Sequence, residues 1–178
     1  MTLNVYDFDD TLFRIPSHIQ APKDFDISDI HYWYDHPRSL DDDQYIIQLI
    51  RTTADTLYQS YGKLDVKNIL ITRRIPELEP QIKYLLDKYD LRFDEINLIG
   101  HESHKIHSLM RNIKMGTGLK EVNIYEDSLY QVYEYHAFLN NIADNIMKFN
   151  YFFVDKTHLL QVHKFDASSL GKLILEIK

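Results

Sequence analysis

The residues best suited to chemistry in this sequence lie near its beginning, where an apolar run meets a group of aspartates. Leu3 to Phe8 predict a β-strand, and Asp7 and Asp9 stand at its end. In an extended segment these two side chains point to the same face, because successive residues alternate. Two carboxylates so close repel each other unless a proton or a cation lies between them. The pattern favours a site for a hard divalent cation such as Mg²⁺, which also binds substrate phosphate.

Two further polar clusters directly follow predicted strands. Val66 to Thr72 is typical of a buried strand, and it ends in a hydroxyl followed by the cations Arg73 and Arg74. Val122 to Tyr125 predicts another strand, and Glu126-Asp127 follow it. In open α/β sheets, ligands bind outside the carboxyl ends of the strands. We therefore expect three strands, the first included, to deliver polar side chains to one rim.

The elements that must position these clusters alternate between strands and helices. Strands alternating with helices predict an α/β fold, a Rossmann-like parallel sheet with right-handed crossovers and flanking helices. Apolar residues at helical spacing predict helices, the first of them capped by the acids at 41–43. The predicted helices cover about 41–62, 76–89, 101–115 and 129–142, with further strands at Glu95–Gly100, Tyr151–Val154, Leu159–Val162 and Leu173–Ile177.

A long irregular segment interrupts this alternation early in the chain. Residues 14–40 carry few periodic apolar positions, and a long loop inside a compact domain is usually functional. We expect a small cap insertion over the active site, at about residues 14–64. Trp33 is interpreted as the anchor of this loop, although its ring has the alternative of stacking on a base.

Composition limits the kinds of protein that this chain can be. Its 178 residues suit a single domain over 1–178, at about 100–200 residues per domain. There are no cysteines, which excludes disulfides and thiolate metal sites. No signal peptide or long apolar span is evident, so we expect a soluble cytoplasmic protein without a membrane partner. The net charge of −7 argues against non-specific nucleic-acid binding, which rests on many lysine and arginine contacts.

The first cluster also carries a resemblance to a known family. DFDDTL, residues 7–12, resembles the first motif, DxDx[TV], of the haloacid dehalogenase (HAD) superfamily. The resemblance implies that Asp7 is the nucleophile and that Asp9 is the general acid and base. It further implies the HAD fold and phosphomonoester hydrolysis through an aspartyl-phosphate. Asp10 occupies a position where glycine is common.

The later motifs of that superfamily have matching residues here, in the expected order. The resemblance implies that Thr72 and Lys105 bind phosphate, with Arg73 beside them where many relatives have glycine; Lys120 is the alternative lysine. It implies an Mg²⁺ site made by Asp7, the backbone carbonyl of Asp9 and Asp127, with Glu126 as a direct or an outer ligand. The chain is thus similar to a metal-dependent phosphatase.

Longer segments are similar to one branch of the superfamily, the Swiss Army Knife RNA repair-like HAD proteins. That branch tends to show a proline after the first motif, a Trp…Pro-x-x-Leu segment, FD-x-I-x-L and IYED. The resemblance implies phosphorylated nucleic-acid ends or nucleotides as substrates. The matching segments, in order, are DFDDTLFRIP, WYDHPRSL, ILITRR, LRFDEINLI, HKIHSL and IYEDSLYQVYEYHAFL.

Other hypotheses remain open at the level of sequence. The first stretch alone also reads as a strand end followed by an aspartate-rich turn. The enzyme hypothesis has a second form, a phosphatase of small metabolites, which a closed cap would favour over polymers. A HAD-fold binding module without turnover is the non-enzyme hypothesis. A basic track leading from Arg73 and Arg74 would favour nucleic acid. The sequence leaves the oligomeric state undetermined.

Overall fold

Nine strands and four α-helices make up the part of the chain that the structure describes. It is a computed structural model, and it describes residues 1–23, 25, 33–101, 103–140, 147–155, 158–165 and 173–177. The helices are α1 (Arg51–Tyr58), α2 (Glu79–Lys88), α3 (Lys105–Met115) and α4 (Leu129–Leu139). The strands are β1 (Thr2–Tyr6), β2 (Phe13–Arg14), β3 (Gln48–Leu49), β4 (Val66–Thr72), β5 (Glu95–Leu98), β6 (Glu121–Glu126), β7 (Lys148–Asp155), β8 (His158–Phe165) and β9 (Leu173–Ile177).

Seven of these strands form one sheet, in the order β5-β4-β1-β6-β7-β8-β9. The strands from β5 to β7 run parallel, which confirms the predicted α/β architecture with a Rossmann-like order. β8 and β9 are antiparallel additions at one edge. Only residues 156 and 157 separate β7 from β8, whereas a parallel crossover needs about a dozen residues. The chain order reverses beside β1, where such sheets hold their ligands.

Apolar side chains cover both faces of the sheet and define two helical layers. One face of β1 and β4 packs against α1 and α2, with Tyr6 and Leu70 in the same core as Leu57. The opposite face packs against α3 and α4, where Val5 shares a core with Leu109. The resulting order of layers is helix, sheet and helix, as the alternating elements predict. Among the described residues, none of the helices has the length and apolarity to cross a membrane.

A row of asparagines crosses four parallel strands near their amino ends. The Asn123 side chain donates to Asn4 Oδ1 at 2.9 Å, and the Asn4 side chain donates to Asn68 Oδ1 at 3.0 Å. Asn150 donates to Asn123 Oδ1 at 2.7 Å, and Asn68 donates to the Ser60 hydroxyl at 2.8 Å. We call Asn4, Asn68, Asn123 and Asn150 the amide ladder. Each hydrogen-bonded pair of the ladder also occupies directly opposite positions in the strand register.

The range 14–64, predicted as a cap insertion, contains residues of the main core. β2 and β3 form a small antiparallel pair that brings Arg14 beside Gln48, and we call residues 15–47 between them the insertion. Its Ile15, Leu40 and Ile47 pack in the main core. α1 belongs to the main core, because Ala54 and Leu57 are fully buried against the sheet. Residues 24 and 26–32 of the insertion lie outside the described residues.

The helix expected over residues 41–62 begins later than predicted. Residues 42–45 form a turn and a bend, and α1 starts at Arg51. The Asp41 carboxylate accepts from the backbone N–H groups of Asp43 and Gln44, at 3.1 and 3.3 Å. This local bonding satisfies the turn without a helix, which is the usual way in which aspartate competes with helical structure. The acids therefore cap a turn, and the expectation that they cap a helix was wrong.

Candidate active site

The turn that follows β1 sets the direction of the first acidic residues. Asp7 continues the strand, and its N–H donates to the Tyr125 carbonyl of β6 at 3.1 Å. The Phe8 carbonyl then accepts from the N–H groups of both Leu12 and Phe13, at 3.0 and 3.1 Å. Closing so tight a turn places Asp10 at φ 50°, in the left-handed region that favours glycine and tolerates aspartate. This backbone requirement explains why glycine is common there in proteins with the motif.

Four charged side chains meet at the carboxyl rim of β1 and β6. The Lys105 ammonium lies 2.8 Å from Asp7 Oδ1 and 2.7 Å from Glu126 Oε2. All three side chains are buried, with 8% or less of their surface exposed. Asp127 completes the group, because one carboxylate oxygen from each of Asp7, Glu126 and Asp127 lies within 4.8 Å of the others. We call Asp7, Lys105, Glu126 and Asp127 the rim cluster.

Local structure fixes each member of the rim cluster. Lys105 is the first residue of α3, where the helix dipole disfavours a cation by a few tenths of a kcal/mol or more. Its two buried carboxylate partners offset this cost. Glu126 ends β6, and its Oε1 accepts from the Ser128 N–H at 3.4 Å. Ser128 in turn caps α4 by accepting from the Gln131 N–H at 3.4 Å. The acidic pair is therefore held between a strand end and a helix cap.

The charges of the rim cluster do not balance, because three carboxylates face one ammonium. Burial, and then the charge of Glu126, raise the pKa of Asp7 to about 8, although Lys105 opposes this. Burial and the neighbouring Asp7 raise the pKa of Asp127 to about 7. Burial also raises the pKa of Glu126. Burial acts to lower the pKa of Lys105, but its two carboxylate partners outweigh that effect and raise it.

The donor set of the rim cluster fits a hard divalent cation. Its potential ligands are carboxylate oxygens only, which Mg²⁺ and Ca²⁺ prefer over the nitrogen and sulfur ligands of softer metals. A divalent charge would also compensate the two carboxylates that Lys105 cannot balance. The excess negative charge of the buried carboxylates and the positions of their oxygens thus both favour a divalent cation.

Asp9 lies apart from the rim cluster and pairs with Arg74. The Arg74 Nη2 donates to Asp9 Oδ1 at 2.6 Å, and its Nε lies 3.1 and 3.0 Å from the two carboxylate oxygens. Arg74 has only 2% of its surface exposed, whereas the Asp9 side chain is 28% exposed. Asp9 is thus held from one side and open to solvent on the other. Sequence reasoning placed Arg73 at the phosphate and gave Arg74 no specific partner.

The remaining predicted residues lie around this centre in different ways. Thr72 ends β4, is fully buried, and its hydroxyl accepts from the Arg74 N–H at 3.3 Å. The adjacent Arg73 is partly exposed, and its buried Nε has no hydrogen-bond partner among the described residues. Lys120 is exposed at the amino end of β6, so Lys105 is the lysine that reaches the carboxylates. The structure brings Asp7, Lys105, Glu126 and Asp127 into one cluster.

A cavity of about 330 Å³ opens beside the rim cluster. Asp127, Asp10 and the aromatic ring of Phe153 are among its lining residues. Arg14 supplies its cation and Asp155 adds another carboxylate. A volume near 300 Å³ is at the lower end of the range for small-molecule sites. The cavity therefore has room for a small organic group next to the acidic centre.

The insertion is attached to the domain at several points near the site. Within the insertion, Trp33 is fully buried and its indole N–H donates to the Pro16 carbonyl at 3.0 Å, which confirms that Trp33 anchors this loop. The His101 ring lies 2.8 Å from an Asp35 oxygen, which links the loop before α3 to the insertion. Sequence reasoning missed this link and the Arg74 contact. The sequence pointed to these two contacts only through the polar residues that flank Trp33.

Comparison of the chain with protein-family models, with curated proteins and with solved structures found no match.

Proposed function

We propose that the chain is an Mg²⁺-dependent phosphatase of the HAD type, which hydrolyses phosphomonoesters through an aspartyl-phosphate. One observation carries the proposal, namely the rim cluster at the carboxyl ends of β1 and β6. It combines a buried carboxylate in contact with an ammonium and a set of acidic oxygens suited to a divalent cation. Phosphoryl transfer needs such a nucleophile and such positive charge around the phosphate oxygens.

Each residue has a defined part in the proposed reaction. An oxygen of Asp7 attacks phosphorus, so an Asp7–phosphorus bond forms while the bond from phosphorus to the leaving oxygen breaks. Asp9, which is partly exposed, gives a proton to that leaving oxygen. Asp9 then takes a proton from the water that attacks the aspartyl-phosphate and releases inorganic phosphate. Lys105 holds Asp7 in place and faces the transferred phosphoryl group with positive charge.

The chemistry also calls for a cation, and the residues present fit one. Asp7, Asp127 and Glu126 would hold Mg²⁺, which supplies positive charge that reduces the repulsion between the acidic site and the phosphate dianion. In this proposal Thr72, at the end of the neighbouring strand, donates its hydroxyl hydrogen to the phosphate. The buried Nε of Arg73 has no hydrogen-bond partner within the described part of the chain, and in this proposal it binds the phosphate.

The substrate follows from the sequence resemblance only as a class. Phosphorylated nucleic-acid ends or nucleotides are the substrates that we infer from the similarity to the RNA repair-like branch. A second candidate, a small phosphorylated metabolite, is favoured by two observations. Arg74 is buried and paired with Asp9, so it forms no part of a basic surface track. The adjacent cavity is small and three of its six lining residues are acidic.

Phosphate release in the presence of Mg²⁺ tests the proposal. The substrates are an aryl phosphate, nucleoside monophosphates, and oligonucleotides with a 3′- or 5′-phosphate. The wild type is compared with Asp7→Asn, which keeps the shape of the side chain but removes the nucleophile. Asp87→Asn is the matched control, because Asp87 is exposed on α2. We expect roughly a 10³-fold loss or more for Asp7→Asn and no change for the control.

The substrate that is turned over decides between the candidates. Release of phosphate from oligonucleotide ends would support a nucleic-acid substrate. Release from small phosphates alone would support a metabolite substrate. Near wild-type turnover by Asp7→Asn would contradict the role of Asp7. If the wild type binds Mg²⁺ but releases phosphate from none of the substrates, the result favours a binding module without turnover.

A further inference from the structure

Arg74 joins three segments of the chain through one buried guanidinium. Its Nε and Nη2 bind the Asp9 carboxylate, as described above. Its Nη1 donates to the Ser39 hydroxyl at 2.7 Å and to the backbone carbonyl of Tyr34. The Arg74 guanidinium carbon also lies 5.1 Å from the centre of the Tyr34 ring. One end of the side chain therefore holds the proposed acid and base, and the other end holds the insertion.

This arrangement restricts the orientation of Asp9. A guanidinium is a planar fork, and contacts to both oxygens of a carboxylate fix its plane as well as its position. Arg74 itself has little freedom, because it is buried and its own N–H donates to Thr72. Asp9 without this partner would be a short side chain with more than a quarter of its surface exposed. The orientation of Asp9 thus depends on Arg74, and that of Arg74 depends on residues of the insertion.

We propose that Arg74 is a positioning residue for Asp9, and that the insertion sets the rate of proton transfer through the contacts of Tyr34 and Ser39 with Arg74. This inference depends on the proposed phosphatase function. It gives the insertion a role in the chemical step beyond covering the site. Arg74 acts through Asp9 and has no contact with the transferred phosphoryl group in this role.

A structural role for Arg74 alone would have different consequences. If the guanidinium only attaches the insertion to the domain, its loss would lower stability and slow all substrates by a similar factor. If the guanidinium positions Asp9, the loss of activity in an Arg74 variant should depend on how strongly the leaving oxygen requires protonation. An aryl phosphate with a stable phenolate leaving group needs little protonation, whereas an alkyl phosphate needs it strongly. The ratio of the two losses therefore separates the roles.

The first test compares kcat/KM for an aryl phosphate and an alkyl phosphate in Arg74→Gln and Arg74→Lys. Misplacement of a catalytic group by about 1 Å can cost on the order of 100-fold. We expect Arg74→Gln to lose roughly 10- to 100-fold on the alkyl phosphate and less than about 5-fold on the aryl phosphate. Arg74→Lys keeps the charge without the fork and should recover only part of the loss. Arg92→Gln is the matched control, because Arg92 makes a similar contact with Asp90 at an exposed site.

Ser39→Ala provides a milder test that does not depend on the folding of the Arg74 variants. It removes one contact at the insertion end of Arg74 and touches neither Asp9 nor the rim cluster. We expect a few-fold loss on the alkyl phosphate, and no additional loss when Ser39→Ala is combined with Arg74→Gln, because the two changes act in one chain of contacts.

The outcomes separate this inference from the proposed function. Equal losses on both phosphates, or independent effects of Ser39→Ala and Arg74→Gln, would overturn the positioning role while the wild-type activity leaves the phosphatase standing. A wild type that hydrolyses neither phosphate, and no other phosphomonoester, would overturn the proposed function and the role of Arg74 together.

Discussion

The rim cluster and the amide ladder are both groups of buried polar side chains at the parallel strands. They differ in how far their hydrogen bonds and charges are balanced within the protein. In the ladder, each neutral amide donates to the next one across the sheet, at distances of 2.7–3.0 Å. In the rim cluster, one ammonium serves three carboxylates, and the pKa of Asp7 rises to about 8. The hydrogen bonds of the ladder are satisfied within the sheet, whereas the rim cluster carries excess negative charge unless its carboxyl groups bind protons or a cation.

This difference separates a polar network that the fold satisfies from one that we propose to be functional. Satisfied neutral hydrogen bonds fix strand register, because a shift of one residue would break every rung and bury unpaired amides. Buried charges of one sign raise the free energy of the folded state until a ligand balances them. Burial of polar groups alone therefore does not indicate a functional site, but an unbalanced charge within it does.

Loss of Lys105 should produce the largest effect on stability. Lys105→Met removes the only ammonium of the rim cluster and leaves its buried carboxylates uncompensated. We expect a loss of about 3–5 kcal/mol in the free energy of unfolding without metal, measured by urea denaturation. Lys67→Met is the control, since Lys67 pairs with Glu95 at a half-exposed site and should cost no more than about 1 kcal/mol. Equal costs for both variants would show that the rim cluster carries no electrostatic strain.

A change in the amide ladder should affect stability and leave chemistry intact. Asn4→Ala deprives both Asn68 and Asn123 of partners, so we expect a loss of about 1–3 kcal/mol in the free energy of unfolding. Activity per folded molecule should stay unchanged. Asn140→Ala, at an exposed position, should stay within about 0.5 kcal/mol of the wild type. A loss of activity in Asn4→Ala protein that is still folded would contradict the view that the amide ladder serves stability alone.

The rim cluster should also make stability depend jointly on pH and Mg²⁺. Asp7 has a pKa of about 8 in the folded chain and 3.8 ordinarily, so unfolding releases a proton between these values. The metal-free protein therefore loses stability as pH rises from about 4 to 8. At pH 6, Mg²⁺ must displace the protons bound to Asp7 and Asp127, whose pKa values are raised to about 8 and about 7. At pH 8 fewer of these protons are bound. We expect at least about tenfold tighter binding at pH 8, or about 1.4 kcal/mol, by calorimetry.

Two controls accompany the Mg²⁺ measurement. NaCl at equal ionic strength should reproduce none of the effect, because a monovalent ion cannot bridge the carboxylates in the same way. Asp7→Asn should remove much of the pH dependence, since the carboxyl group whose pKa is raised to about 8 is then gone. Binding that is unchanged between pH 6 and 8 would argue against the buried carboxylates as ligands.

Much of the candidate site was predictable because the sequence shows where strands end. Asp7, Thr72 and Glu126 each follow apolar runs directly, and parallel strands bring such ends to one rim. The helix that carries Lys105 was predicted over 101–115, and in the structure it begins at Lys105 itself. The α/β order was predictable for the same reason, since the helical and strand periods alternate clearly. The HAD assignment and its chemistry stay predictions.

Features that depend on long-range burial were not predictable. The sequence offers two adjacent arginines, and only the position of Ser39 and Tyr34 in space makes Arg74 the buried one. The turn at Asp41 competes with a helix through its own side chain, which a periodic pattern cannot reveal. The amide ladder did leave a signal, because each of its asparagines precedes an apolar pair inside a strand: Asn4-Val5-Tyr6, Asn68-Ile69-Leu70, Asn123-Ile124-Tyr125 and Asn150-Tyr151-Phe152.

Trapping of the phosphorylated enzyme tests the chemistry of the rim cluster most directly. The wild type is mixed with Mg²⁺ and the best substrate, quenched in acid within one turnover, digested, and analysed by mass spectrometry. The proposed function predicts one phosphoryl group on Asp7, absent from Asp7→Asn and sensitive to hydroxylamine, as an acyl phosphate is. Turnover with no phosphorylated peptide at any quench time, or with the phosphoryl group on another residue, would contradict Asp7 as the nucleophile.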